Sequence, residues 1–272
     1  MNRAALALAV LLPVGDMVLA VLYGALALGA SCDRARRICL SLLLVGHTAL
    51  VAMVWNDGGA FPLAHAAWVL SAVATALLVL YAVTEATTRS SAGGAVVAAL
   101  LALLQLVAAM CWPLATPTPV RVSSPFFVPH ASGLVLGVAA LLLAGCYGLL
   151  WLLLWRALRR RSFGALYRMV PDLPQLAQLN RRASLLGFLA LALGVNSGIW
   201  WAHDAGRNFS YMSPQVLPII VLWLLFGVLA MSRHIPLLNE RRVAWTSFIA
   251  GALCVCSILL SFLPGGPFHG AS

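Results

Sequence analysis

Eight apolar windows follow one another along the chain, over about residues 5–30, 38–56, 64–85, 95–115, 131–155, 183–203, 214–232 and 243–263. An α-helix needs about 20 predominantly apolar residues to cross the hydrocarbon core of a bilayer. The pattern therefore predicts an all-α, polytopic transmembrane bundle of about eight spans, organised as a single integral membrane domain over residues 1–272. The first window is too long for the apolar region of a cleaved signal peptide and has no convincing cleavage site, so it reads as the first span.

Composition agrees with the pattern. Hydrophobic residues make up 62% of the chain and charged residues 9%, with a mean hydropathy of +0.98. Soluble domains carry roughly 25% charged residues. No polar stretch longer than about 30 residues is present, which leaves no room for a sizeable soluble domain.

The net charge of +10 comes from arginine alone, since the chain has no lysine. In a soluble protein such a balance points to nucleic acid. Here the arginines fall between the apolar windows, and their distribution sets orientation instead. Arg34, Arg36, Arg37, Arg89, Arg156, Arg159, Arg160, Arg161, Arg168, Arg181, Arg182, Arg233, Arg241 and Arg242 share one side, whereas Arg3, Arg121 and Arg207 lie on the other. The positive-inside rule makes the first side cytoplasmic and both termini external. Nucleic acid is not expected as a partner; membrane lipids are. The longest inner connection, residues 156–182, carries Leu173, Leu176 and Leu179 at helical spacing after Pro171. This spacing predicts a short amphipathic helix on the inner membrane surface.

The candidate chemistry lies in histidines and aromatics. His65, His130, His203 and His269 fall at outer ends of spans, His47 falls near mid-membrane, and His234 at the inner end of span seven. Residues 183–233 form a hairpin whose connection gathers Trp200, Trp201, His203, Arg207, Phe209 and Tyr211. Neutral imidazoles from different helices can clamp the iron of a haem, and flat aromatic rings can stack on a macrocycle. The same residues also fit an interfacial aromatic belt. Arg207 and Arg121 could pair with haem propionates or anchor the chain at the interface. The six cysteines include no CxxC pair, no HExxH motif occurs, and no nucleophile with an acid/base partner stands out, so whether the chain is an enzyme stays open.

Four stretches carry a resemblance. FFVPHASGLVLGVAALLLAGCYGLLWLLLWRALRRR is a histidine-led span with a basic end, VPDLPQLAQLNRRASLLGFLALALGVNSGIWWA precedes the aromatic connection, and VLWLLFGVLAMSRH and GPFHGAS follow it. In order and spacing these resemble the integral-membrane cytochrome c assembly family of CcsA and HemX type. The resemblance implies a multi-pass protein of the bacterial inner membrane that handles haem b and supports cytochrome c assembly. Its partners would be apocytochrome c and another assembly membrane subunit.

It further implies His130 and His269 as outer iron ligands and His47 and His234 as membrane-embedded ones. The family's WGxxWxWD loop is replaced by AGRNFSYMSPQ, with Met212 where the aspartate belongs, which moves the resemblance toward the HemX-like branch. Two other readings remain open at this point. One is a regulatory or scaffold protein of haem biosynthesis that binds no haem and acts through residues 156–182. The other is a small-molecule transporter using Asp16, Glu85 and Gln105 as intramembrane polar groups.

Overall fold

The computed structural model describes residues 3–56, 66–91, 93–112, 124–161, 164, 167, 170–204 and 217–260. All regular structure among these residues is helical. The α-helices are α1 (Arg3–Ala27), α2 (Asp33–Asn56), α3 (Ala66–Thr88), α4 (Gly94–Cys111), α5 (Phe127–Arg159), α6 (Leu173–Asp204), α7 (Leu217–Ala230) and α8 (Glu240–Leu260), with a 3-10 turn at Ser232–His234. Six of them, α1 to α6, are long and apolar enough to cross a membrane, while α7 is apolar but only 14 residues long. The chain is a polytopic helical membrane protein.

Among the helices that begin earlier than the apolar windows indicate, α2, α5 and α6 show the largest differences. α2 starts at Asp33, because Arg36 is held by Asp33 and Glu85 and can enter the packed part of the helix. α5 starts at Phe127, and Pro129 sits in its first turn, where a missing N–H costs no intrahelical bond. α6 starts at Leu173, with the Asp172 carboxylate accepting from the Gln175 N–H at 3.0 Å as an N-cap. Leu176 and Leu179 are buried as the first turns of this 32-residue helix. The leucine series is therefore part of α6 and forms no separate surface helix.

The expected single domain resolves into two compact units, Met1–Val120 with Leu150–Gln175, and Arg121–Leu149 with Leu176–Ser272. In the first, α1 packs on α2 and α4, and α3 packs on α2 and α4. The buried residues of α1 (Ala5, Ala9, Leu12 with its neighbour Pro13, Asp16, Leu19 and Tyr23) follow one another at helical spacing and form one stripe. Asp16 therefore points into the packed face with the apolar residues around it.

In the second unit, helices approach through small residues, as membrane helices do where close backbone contact replaces hydrophobic drive. A Cβ on Gly133 would stand 2.6 Å from the Gly194 backbone nitrogen, so α5 and α6 touch there main chain to main chain. Deeper in the same unit, buried Asn180 donates through Nδ2 to the Ala144 carbonyl at 3.0 Å. Its Oδ1 accepts from Ser247 Oγ at 3.1 Å. One amide thus ties α5, α6 and α8 together.

Candidate functional site

The close contact of α5 and α6 positions His130. The imidazole Nδ1 lies 2.8 Å from the Gly194 carbonyl oxygen, which can only accept, so the ring hydrogen sits on Nδ1. Nε2 has no hydrogen-bond partner among the described residues. One turn further along α6, a Cβ on Gly198 would stand 2.5 Å from His130 Nδ1. Glycine at 198 is what lets the ring lie flat against α6.

Aromatic rings surround this imidazole. Trp201 stands 5.5 Å from the His130 ring centre at an interplanar angle of 31°. Phe127, buried one turn before His130, meets Trp201 edge-on at 4.9 Å. Trp200 stacks on Phe126 at 6.1 Å and leaves 60% of its surface exposed. An imidazole that gives one N–H to a backbone carbonyl and offers the other nitrogen is oriented and made more basic, as metal-ligating histidines are. The site can offer one preoriented nitrogen ligand beside a cluster of aromatic rings.

A second polar site lies inside the first unit. His47 and Asp16 are both fully buried, and His47 Nε2 stands 3.3 Å from each Asp16 oxygen. His47 Nδ1 lies 3.4 Å from Thr75 Oγ1, which donates to the Ser71 carbonyl at 2.8 Å. Both ring nitrogens are engaged, joining α1, α2 and α3. Ligation through either nitrogen would exchange one of these contacts.

A third cluster closes the opposite end of those helices. Buried Arg36 donates to Glu85, to Asp33 (2.7 and 3.1 Å) and to the Tyr23 hydroxyl (3.2 Å). Tyr23 also donates to Glu85 and meets Tyr81 edge-on at 5.7 Å. Glu85 and Asp16 thus each have a partner. The Gln105 amide has none among the described residues. No group of three or more metal-ligating side chains occurs among the described residues.

The sequence matches the family described as Cytochrome C assembly protein over residues 39–265. The chain belongs to the cytochrome c assembly family. It is 25% identical over 248 residues to a cytochrome c biogenesis protein CcsA of Heterosigma akashiwo, covering 78% of this chain and 77% of that protein. It is 26% identical over 230 residues to the CcsA protein of Chlorella vulgaris, covering 72% and 70% of the two chains. With the CcsA protein of Chlamydomonas reinhardtii the identity is 24% over 195 residues, covering 69% and 53%.

The stretch matching the cytochrome c assembly family contains His47, His130, Gly194, Gly198, Trp201 and His234. It leaves out Asp16, Arg36 and His269. Of the site residues expected from sequence, the structure brings together His130, Trp200 and Trp201 with Phe126 and Phe127. His203 is exposed in the last turn of α6. His47 is buried in the first unit, whereas His234, expected to be membrane-embedded like it, is exposed on the 3-10 turn after α7 in the second. His269, Arg207, Phe209, Tyr211 and Met212 lie outside the described residues.

Sequence reasoning noted Gly194 and Gly198 only through their spacing inside the family-like stretch VPDLPQLAQLNRRASLLGFLALALGVNSGIWWA, and it gave no role to Thr75 or Asn180. A lone threonine in an apolar window and an asparagine beside arginines carry no signal of their own.

Proposed function

We propose that this membrane protein binds haem at the end of the α5–α6 pair that carries His130 and supplies it toward the outer face for cytochrome c assembly. The observation that carries the reading is the Nδ1–H of His130 given to the Gly194 carbonyl, which leaves Nε2 free to meet iron. Membership of the cytochrome c assembly family supports it. In this reading His130 and His269 ligate haem b, and Trp200, Trp201, His203, Arg207, Phe209 and Tyr211 line the site. The haem would supply the iron, and the chain's own part is to offer the imidazole ligands, to orient that of His130 through Gly194 and to set aromatic rings beside it.

The same reading places the protein in a bacterial inner membrane, with the arginine-rich connections inside, and gives it apocytochrome c and a second assembly subunit as partners. His47 enters as an internal polar site held by Asp16 and Thr75. The test is complementation. A strain lacking this protein should regain covalently haem-stained c-type cytochromes with the wild-type chain. With His130→Ala, made to equal membrane levels, it should regain few or none. Full recovery with His130→Ala would contradict the assignment.

A further inference from the structure

The two antiparallel helices α2 and α3 leave an open groove where the start of α2 meets the end of α3. Its volume is about 800 Å³, and its walls include Arg36, Arg37, Arg89, Ser41, Leu44 and Val83. One part of the wall is apolar and lies along the flanks of two membrane-crossing helices, where Val79 and Val83 are exposed. The other part is charged and lies at the helix ends. Its three guanidiniums face two carboxylates, Asp33 and Glu85, so the groove keeps a net positive charge.

The arginines are not equivalent. Arg36 is buried and fully engaged with Glu85, Asp33 and Tyr23, so it is a fixed part of the wall. Arg37 is paired with Asp33 yet keeps 64% of its side chain exposed. Arg89 is exposed and has no hydrogen-bond or ion-pair partner among the described residues. It follows the last residue of α3 with φ of +52°, a left-handed conformation usually left to glycine. A side chain is kept where glycine would be more comfortable.

We propose that this groove seats the headgroup of an anionic phospholipid, with Arg37 and Arg89 holding the phosphodiester and an acyl chain lying along Leu44, Val79 and Val83. Two exposed guanidiniums beside an apolar track complement a molecule that is anionic at one end and apolar at the other. The groove also lies at the arginine-rich side of the helices, where the positive-inside rule places the leaflet that carries anionic lipid. The site involves none of the residues that hold His130, and it stands or falls independently of haem binding.

The experiment is native mass spectrometry on the full chain, exchanged into an equal mixture of phosphatidylglycerol and phosphatidylcholine with matched acyl chains. The wild-type protein should retain phosphatidylglycerol preferentially. Arg37→Gln and Arg89→Gln should each lower that preference roughly five-fold. Arg160→Gln, an exposed arginine outside the groove, should leave it unchanged. Equal retention of the two lipids by the wild type would overturn the proposal, as would an unchanged preference in the Arg37→Gln/Arg89→Gln variant. Complete displacement of phosphatidylglycerol by oleate would assign the groove to carboxylate amphiphiles and overturn the phosphodiester assignment.

Discussion

His130 on α5 and Gly194 on α6 are joined by one hydrogen bond, Nδ1–H to carbonyl at 2.8 Å. That bond fixes the tautomer and the direction of the free nitrogen. It exists because small residues let the two backbones meet, with Gly133 against Gly194 and Gly198 beneath the ring. The orientation of the imidazole is thus set by main-chain packing, and substitutions at glycines that carry no chemistry should act on it.

Gly198→Ala is the sharpest of these. The added methyl would stand 2.5 Å from His130 Nδ1, and the imidazole is the part that can give way. We expect the ring to turn off the Gly194 carbonyl, with a ten- to hundred-fold loss of haem affinity of the order seen when an outer-shell partner of a ligand is lost. Haem titration of the purified variant checks this. Overpacking should cost about 1–3 kcal/mol, so thermal unfolding followed by circular dichroism should show a folded helical protein.

The two adjacent tryptophans should differ. Trp201 packs on both His130 and Phe127, while Trp200 is 60% exposed and, among the described residues, stacks on Phe126 alone. Trp201→Ala should lower the unfolding temperature and blunt haem binding. Trp200→Ala should change stability by no more than about 1 kcal/mol, the worth of one aromatic pair. Equal effects in a melting experiment would contradict the packing described.

The all-helical class was legible because apolar length is a strong signal, though of the eight expected spans six described helices are long and apolar enough to cross a membrane. The histidine at the head of α5 was marked because it stands at a window's edge. The starts of α2 and α6 were not. Arg36 read as an orienting loop arginine, yet it is buried because Glu85 and Tyr23, 49 and 13 residues away in sequence, converge on it. Leu173, Leu176 and Leu179 read as a surface helix because they recur at helical spacing after Pro171 in the arginine-rich connection 156–182. Arg181 is in fact satisfied by Glu240 at 2.7 Å, which lets α6 run through. In both places a long-range ion pair, invisible to local hydropathy, lets an arginine sit inside a packed helix.

The buried pair of Asp16 and His47 should behave as a unit. Removing only the imidazole in His47→Leu leaves the Asp16 carboxyl inside the first unit without its hydrogen-bond partner and should cost about 1–3 kcal/mol. The double change Asp16→Leu/His47→Leu removes both polar groups and should recover most of that loss. Melting temperatures of the single and double variants in one detergent decide it; additive losses would show that the two residues are not coupled.

Asn180 offers a parallel case without charge. Asn180→Leu leaves the Ala144 carbonyl and the Ser247 hydroxyl without their amide partner, at a cost of about 1–3 kcal/mol. Ser247 Oγ also lies 3.0 Å from the Val243 carbonyl, so Ser247→Ala alone should cost less. A double-mutant cycle read by thermal unfolding should return a coupling of about 0.5 kcal/mol or more.

The most direct measurement of the central claim is the absorption spectrum of the detergent-purified protein, oxidised and reduced, after haem feeding. It should be taken beside His130→Ala and His130→Ala/His269→Ala. The account predicts a Soret band with bis-histidine features in the wild type, which weakens in the first variant and is lost or strongly altered in the second. A wild-type protein that carries no haem, or a spectrum unchanged by both substitutions, would contradict it.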